Sequence, residues 1–261
     1  MPMTGARQPH AVLDLPSRRH KGLKIERLLD LAARPQPLRL LEIGTGSGGI
    51  AHYFATHPTL RCRVTAVDVV DQRLVRNGYD FRLVHDTALP FADAGFDVVL
   101  SNHVIEHVGG RTAQLAHLRE IRRVMAPGAV GYLAVPNRWM LVEPHYRLVF
   151  LSWLPRPLRT PYLRLLRRGG RYDCEPLTLS RLDALLAEAG FAWRHLEVEA
   201  LRATLDIEGA HGAGARLARR LPDALIAGMR RMIPTLICRI GPQDSGLSGN
   251  APVDPNGRPG P

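Results

Sequence analysis

Leu40-Leu41-Glu42-Ile43-Gly44-Thr45-Gly46-Ser47-Gly48-Gly49 carries an apolar run straight into four glycines within six residues. A short apolar run that ends in turn residues reads as a buried strand, and residues 48–55 beyond it read as the start of a helix. Glycine lets the backbone turn tightly and approach a ligand closely, and free amides at a helix start favour a carboxylate or phosphate. Read as GxGxxG, through Gly44, Gly46 and Gly49, the stretch suits a dinucleotide, and that pattern alone is weak. Glu42 before it and Gly48 within it make the fuller pattern ExGxGxG.

The same alternation continues outward. Apolar periodicity predicts a helix over 21–33, a strand over 38–43 and, beyond the glycines, a strand over 63–67. A helix beginning at 71–76, strands at 82–84 and 96–100, a helix over 112–125 and a strand over 129–135 follow. Strands alternating with helices at this spacing predict an α/β fold, a Rossmann-like doubly wound, mostly parallel sheet. After Pro136 the pattern changes to a proline-, tryptophan- and arginine-rich stretch, read as an insertion covering one end of the sheet. A helix capped by Thr178 or Ser180, a strand near 192–198, two short helical pieces split at Pro222 and a last strand over 234–240 complete the chain. The expected organisation is a flexible arm over 1–21, one domain over 22–240 with a lid over 138–175, and a disordered tail over 241–261, where glycine and proline are dense.

Chemistry-bearing residues gather at the strand ends. The second strand closes on Asp68, placed to accept hydrogen bonds from ribose hydroxyls. The third runs into His85-Asp86-Thr87-Ala88-Leu89-Pro90-Phe91, and the fourth reads Phe96-Asp97-Val98-Val99-Leu100-Ser101-Asn102-His103-Val104-Ile105-Glu106-His107. The fifth follows Met125-Ala126-Pro127-Gly128. With these five motifs in order, residues 22–137 resemble the class I S-adenosylmethionine-dependent methyltransferases of the small-molecule type. Ala129 departs from the pattern, standing where a second glycine is usual.

The resemblance implies a seven-stranded sheet with an antiparallel last strand, and S-adenosylmethionine lying across the strand C-termini. It implies that the amides of Gly44, Thr45, Gly46 and Gly48 bind the methionine carboxylate and that Glu42 meets the cationic end. Asp68 would hold the ribose and Asp86, with Thr87, the adenine edge, while Asn102 lies where the methyl group should be. The expected function is methyl transfer to a small-molecule acceptor, O- or C-methylation preferred, with an anionic or lipid-linked metabolite as the candidate acceptor. His107 and His145 are the catalytic candidates. Alternatives are a nucleic-acid or protein methyltransferase and a NAD(P)-binding oxidoreductase. After the fourth strand, however, the chain lacks the Asp/Asn-Pro-Pro-aromatic loop used on exocyclic amines.

Composition bounds the rest. The 261 residues carry 45% hydrophobic and 23% charged side chains, enough for a substantial core. The net charge of +11 comes from 35 basic residues, all arginine except Lys21 and Lys24, against 24 acidic ones. Residues 40–137 are neutral, with nine arginines and nine acids, and the surplus sits in 1–39, 138–173 and 202–239. That pattern gives no strong nucleic-acid signal, but it marks residues 213–233 as a candidate peripheral membrane contact, with arginines flanking Leu217, Leu221, Leu225 and Met229. Cys62, Cys174 and Cys238 are far apart and show no CxxC or Cys/His spacing, so they read as reduced thiols and no metal site is expected. The first residues carry no apolar h-region, which predicts a cytoplasmic protein; oligomeric state is not legible.

Overall fold

The computed structural model describes residues 14–143, 145–209 and 212–243. In chain order it has α1 (Leu15–Leu29), β1 (Leu38–Ile43), α2 (Gly49–Ala55), β2 (Cys62–Asp68), β3 (Asp80–Leu83), β4 (Phe96–Asn102), α3 (Arg111–Val124) and β5 (Met125–Pro136). The insertion contributes the small strands β6 (Val142–Glu143) and β7 (Leu148–Val149) and helix α4 (Arg156–Leu165). Then come α5 (Leu179–Glu188), β8 (Phe191–His195), α6 (Glu197–Ile207), α7 (Ala213–Arg220), α8 (Asp223–Gly228) and β9 (Thr235–Pro242).

Seven strands form one sheet in the order β3-β2-β1-β4-β5-β9-β8, with β9 antiparallel to β5 and β8 and the remaining pairs parallel. This is the Rossmann-like architecture expected of the sequence. Parallel strands need helical crossovers on both faces, so the inner strands are apolar almost throughout rather than alternating. β1 shows it: Leu40 packs with α1 and α2 on one face, and Leu41 and Ile43 pack with α3 and α5 on the other. At the opposite end of the β1–β4 pair, Asp97 accepts two hydrogen bonds from the Arg39 guanidinium, at 3.0 and 2.7 Å.

Several boundaries differ from expectation. Helix α1 starts at Leu15, because the Asp14 side chain accepts from the Ser17 amide and Pro16 suits the first turn. The expected arm is therefore helical from residue 15, and residues 1–13 lie outside the described residues. Gly241 and Pro242, assigned to the tail, pair with β8, and residues 244–261 lie outside the described residues. No helix forms at 71–76. The Leu74 and Val75 amides instead donate to the Ser47 carbonyl, and Asp71 binds the Arg73 and Arg76 side chains. The strand placed at 192–198 stops at His195, and Glu197 opens α6, which packs on α1. Of the stripe named as a candidate membrane contact, Leu217, Leu225 and Met229 are exposed and Leu221 is half-buried, while Ile226 is the buried residue of that region.

A buried charge cluster closes the β8 edge. His195 Nε2 lies 2.8 Å from Asp183 Oδ1 and its Nδ1 lies 3.2 Å from Glu197 Oε1. Burial opposes the charge, but hydrogen bonds to Asp183, Cys238 and Glu197 outweigh it and push the imidazole pKa up to about 12. A pKa raised on folding stabilises fully below the unfolded value and is lost as pH rises through the folded one. Removing the imidazole leaves Glu197 with Arg230, at 2.9 Å, and Asp183 with the Trp193 indole N–H, also at 2.9 Å, but Asp183 without its cation. His195→Ala is expected to cost about 3 kcal/mol near pH 6. The gap to wild type should narrow by about pH 10 in urea unfolding.

Candidate functional site at the β1–β4 crossover point

β1 and β4 are hydrogen-bonded neighbours, yet the chain leaves β1 toward β2 and leaves β4 toward β5. The two connections part above this pair and open a crevice at the strand C-termini. The glycine stretch forms its floor. Gly44, Gly46 and Gly48 adopt φ of 77°, 55° and 80°, a left-handed region that side chains disfavour. Space forbids a side chain as well: a Cβ on Gly44 would sit 2.4 Å from Val104 Cγ2, and one on Gly48 would sit 2.4 Å from the Val75 carbonyl oxygen. The glycines thus let the loop lie against the segments after β4 and β2.

Asp68 ties the loop to β2. Its Oδ2 accepts from the Gly46 amide at 2.8 Å and its Oδ1 from the Val69 amide at 2.7 Å. Each oxygen keeps acceptor capacity beyond these bonds. Glu42 is 3% exposed and lies beneath the loop, where Thr45 Oγ1 is 3.4 Å from its carboxylate. Burial pushes its pKa up to about 8. Asp86 and Ala88 are exposed beyond β3, with Asp86 Oδ1 accepting from the Ala88 amide, and Thr87 between them is half-buried. Leu89, by contrast, packs into the core. Ser47 Oγ and Asn102 Oδ1 are buried without a hydrogen-bond partner. Buried polar atoms are seldom left unpaired, so these two fit a polar ligand seated in the crevice.

On the far side of Val104 stands a second group of side chains. Glu106 is wholly buried; burial alone would raise its carboxyl, but His103 and His107 beside it, at 3.3 and 3.9 Å, hold it below the usual carboxylate range. His117, behind Ser101, is pushed down to about 4 by burial and stays neutral. The lid reaches this point. His145 Nδ1 lies 2.7 Å from Glu143 Oε1, and its ring packs edge-on against His107 with centroids 5.2 Å apart. Burial opposes protonation of His145, and the Glu143 carboxylate outweighs it, raising the pKa. Cys174 Sγ lies 3.8 Å from His107 Nδ1, 3.9 Å from His145 Nδ1 and 3.7 Å from Asp173 Oδ1. Tyr146 is buried in the lid's own core, its hydroxyl turned to the Arg171 carbonyl and Asp173.

The structure therefore brings His107 and His145 together and adds Glu106, Glu143, Asp173 and Cys174. No metal site was expected from spacing along the chain, which does not show this group because it is assembled from three loops. The available signal was three short pairings of ligand-type residues, Glu106-His107, Glu143 with His145, and Asp173-Cys174. The residues expected to meet the cofactor, Glu42, Gly44, Thr45, Gly46, Asp68, Asp86, Thr87 and Asn102, are distributed along the C-terminal edge of β1 to β4, with Gly48 at the start of α2.

Residues 41–133 match a methyltransferase domain family. The chain is 29% identical to the ubiquinone biosynthesis O-methyltransferase of Parvibaculum lavamentivorans over 182 residues, 63% of either chain. It is 33% identical to the tuberculostearic acid methyltransferase UfaA1 of Mycobacterium tuberculosis over 130 residues, 47% of this chain and 30% of that one. It thus spans less than two thirds of the length of these relatives. Among solved structures, an S-adenosylmethionine-dependent methyltransferase from Methanosarcina mazei superposes with a TM-score of 0.50, at 16% identity over 81% of this chain and 95% of that one. The cyclase SpnF superposes at 0.51, with 17% identity over 91% and 85%. These two likenesses establish the fold.

Burial of Glu42 gives a test independent of any ligand. A carboxyl whose pKa rises from 4.5 to about 8 on folding loses stability as pH climbs through that window. Glu42→Gln keeps the shape without the charge. Its stability in urea unfolding should exceed that of wild type by a margin that grows above about pH 4.5 and levels off beyond about pH 8, at roughly 3–5 kcal/mol.

Proposed function

We propose that this chain, whose residues 41–133 match a methyltransferase domain family, is a class I S-adenosylmethionine-dependent methyltransferase that transfers a methyl group to a small-molecule acceptor. The observation that carries this reading is the glycine floor at the β1–β4 crevice, with unpaired Ser47 and Asn102 atoms beside it. In this reading the loop amides of Gly44 to Gly48 receive a carboxylate, and Glu42 beneath them accepts a hydrogen bond from a nearby ammonium. The spare acceptor capacity of Asp68 takes ribose hydroxyls, and Asp86 with Thr87 takes the adenine edge. The sulfonium supplies an already activated methyl group when bound. What the chain adds is alignment for in-line displacement and exclusion of water by the lid.

His107 and His145 stand on the acceptor side. His145, drawn toward its protonated form by Glu143, supplies positive charge to an anionic acceptor, and the arginines of 138–173 add to it. The names of the relatives, a ubiquinone biosynthesis O-methyltransferase and a tuberculostearic acid methyltransferase, support O-methylation and a lipid-linked acceptor. Exposed Leu141, Val149, Phe150, Trp153 and Leu165 on the lid favour the same class. No helix among the described residues is long and apolar enough to cross a membrane, and we place the chain in the cytoplasm.

Calorimetry tests the cofactor assignment. Asp68→Ala removes a charged acceptor worth roughly 1.5–3 kcal/mol, so S-adenosylmethionine should bind roughly ten- to a hundredfold more weakly. Gly46→Arg should abolish binding. Unchanged affinity in both variants, or a melting temperature raised by a nicotinamide dinucleotide instead, rejects the reading.

A membrane-surface contact at 213–233 is a second reading, favoured by the exposure of Leu217 (62%) and Leu225 (49%) beside Arg216, Arg219 and Arg220. Basic amphipathic helices rest on anionic lipid through such a face. The protein should then float with anionic vesicles at low salt, and Leu217→Glu with Leu225→Glu should leave it in the pellet.

A further inference from the structure

We propose that His107, Asp173 and Cys174 form a binding site for a zinc-type divalent cation, which pins the return segment of the lid to the loop after β4. One donor atom from each of the three lies within 4.8 Å of the others. Two ligands bound tetrahedrally to zinc through sulfur and nitrogen stand about 3.5 Å apart, from metal distances of about 2.3 and 2.0 Å. Cys174 Sγ is 3.8 Å from His107 Nδ1 and 3.7 Å from Asp173 Oδ1, close to that span. Thiolate, imidazole and carboxylate together select a borderline cation rather than magnesium or calcium.

The backbone around these donors is already held. The Glu175 amide donates to the Glu106 carbonyl at 2.8 Å, which sets Cys174 beside His107. The Arg138 amide donates to the Leu177 carbonyl at 2.9 Å, and the Leu177 amide to the Pro136 carbonyl at 3.3 Å, which fix the same segment to the exit of β5. Ligands carried on a fixed backbone lose little freedom when a metal binds.

The surroundings favour positive charge. Glu106 and Glu143 are 0% and 1% exposed, and Glu106 has two buried oxygens without a well-aligned donor. Buried carboxylates of this kind are costly unless a cation stands near them. Glu143, 2.7 Å from His145 Nδ1, makes a carboxylate–histidine pair next to the site, the arrangement that commonly orients groups around a metal. Three protein ligands leave a fourth position, and His145, with Nδ1 3.9 Å from the same sulfur, flanks it. Cys174 is buried, while His107 and Asp173 are half-exposed and leave a route for the ion.

The test uses the full chain, stripped with a chelator and titrated with cobalt(II), then with zinc(II). One equivalent of cobalt should give a thiolate-to-metal charge-transfer band with tetrahedral visible bands, and zinc should displace it. Cys174→Ser should abolish the charge-transfer band and weaken cobalt binding by more than the roughly 10–100-fold typical of losing a supporting group. Asp173→Asn should weaken binding while retaining the band, and Cys62→Ser should bind as wild type does. Folding of each variant is checked by far-ultraviolet dichroism. Absence of stoichiometric binding by folded wild type, or a band unchanged in folded Cys174→Ser, overturns the proposal. Neither result touches S-adenosylmethionine binding at the glycine loop, which calorimetry reads separately.

Discussion

The pairing of β1 with β4 is the constraint on which the rest of this molecule depends. Because the chain departs from these neighbours in opposite directions, no connection can cover the space above them, and a crevice must open there. The turn leaving β1 has to stay low enough for Val104 to pass over it, which only a residue without a Cβ permits at position 44. Asp68 then closes onto the Gly46 amide and couples the end of β2 to the same floor. The bidentate Arg39–Asp97 contact at the other end ties the pair where no ligand is needed.

Charge is buried in two places, with different consequences. At the β8 edge, His195 lies between Asp183 and Glu197, with Arg230 on the outer acid, and every charge has a counterpart. That cluster rigidifies the sheet edge. Beside the crevice, Glu106 is buried with His103 and His107 at ion-pair distance among the described residues, and Glu143 and Asp173 stand within reach of the Cys174 thiol.

The insertion after β5 is held firmly at its root and exposes apolar side chains. Its root is clipped to Glu106 and Pro136 through the backbone at 175–177, whereas Trp139, Phe150 and Trp153 stack edge-on with one another while staying partly in solvent.

Much of the fold was legible in the chain. The apolar run from Leu38 to Ile43 and the glycines after it were readable because burial on both faces and local sterics govern them. Helix α1 began earlier than periodicity suggested because one capping side chain, Asp14, decides its start. The segment at 71–76 had helical spacing, but its amides found the Ser47 carbonyl, a partner supplied by a different loop. The exposure of Leu217 and Leu225, and the meeting of His107, His145, Asp173 and Cys174, were decided by tertiary structure alone. Periodicity and turn chemistry act over a few residues and leave their mark in the chain, whereas contact between loops tens of residues apart depends on how the intervening elements pack.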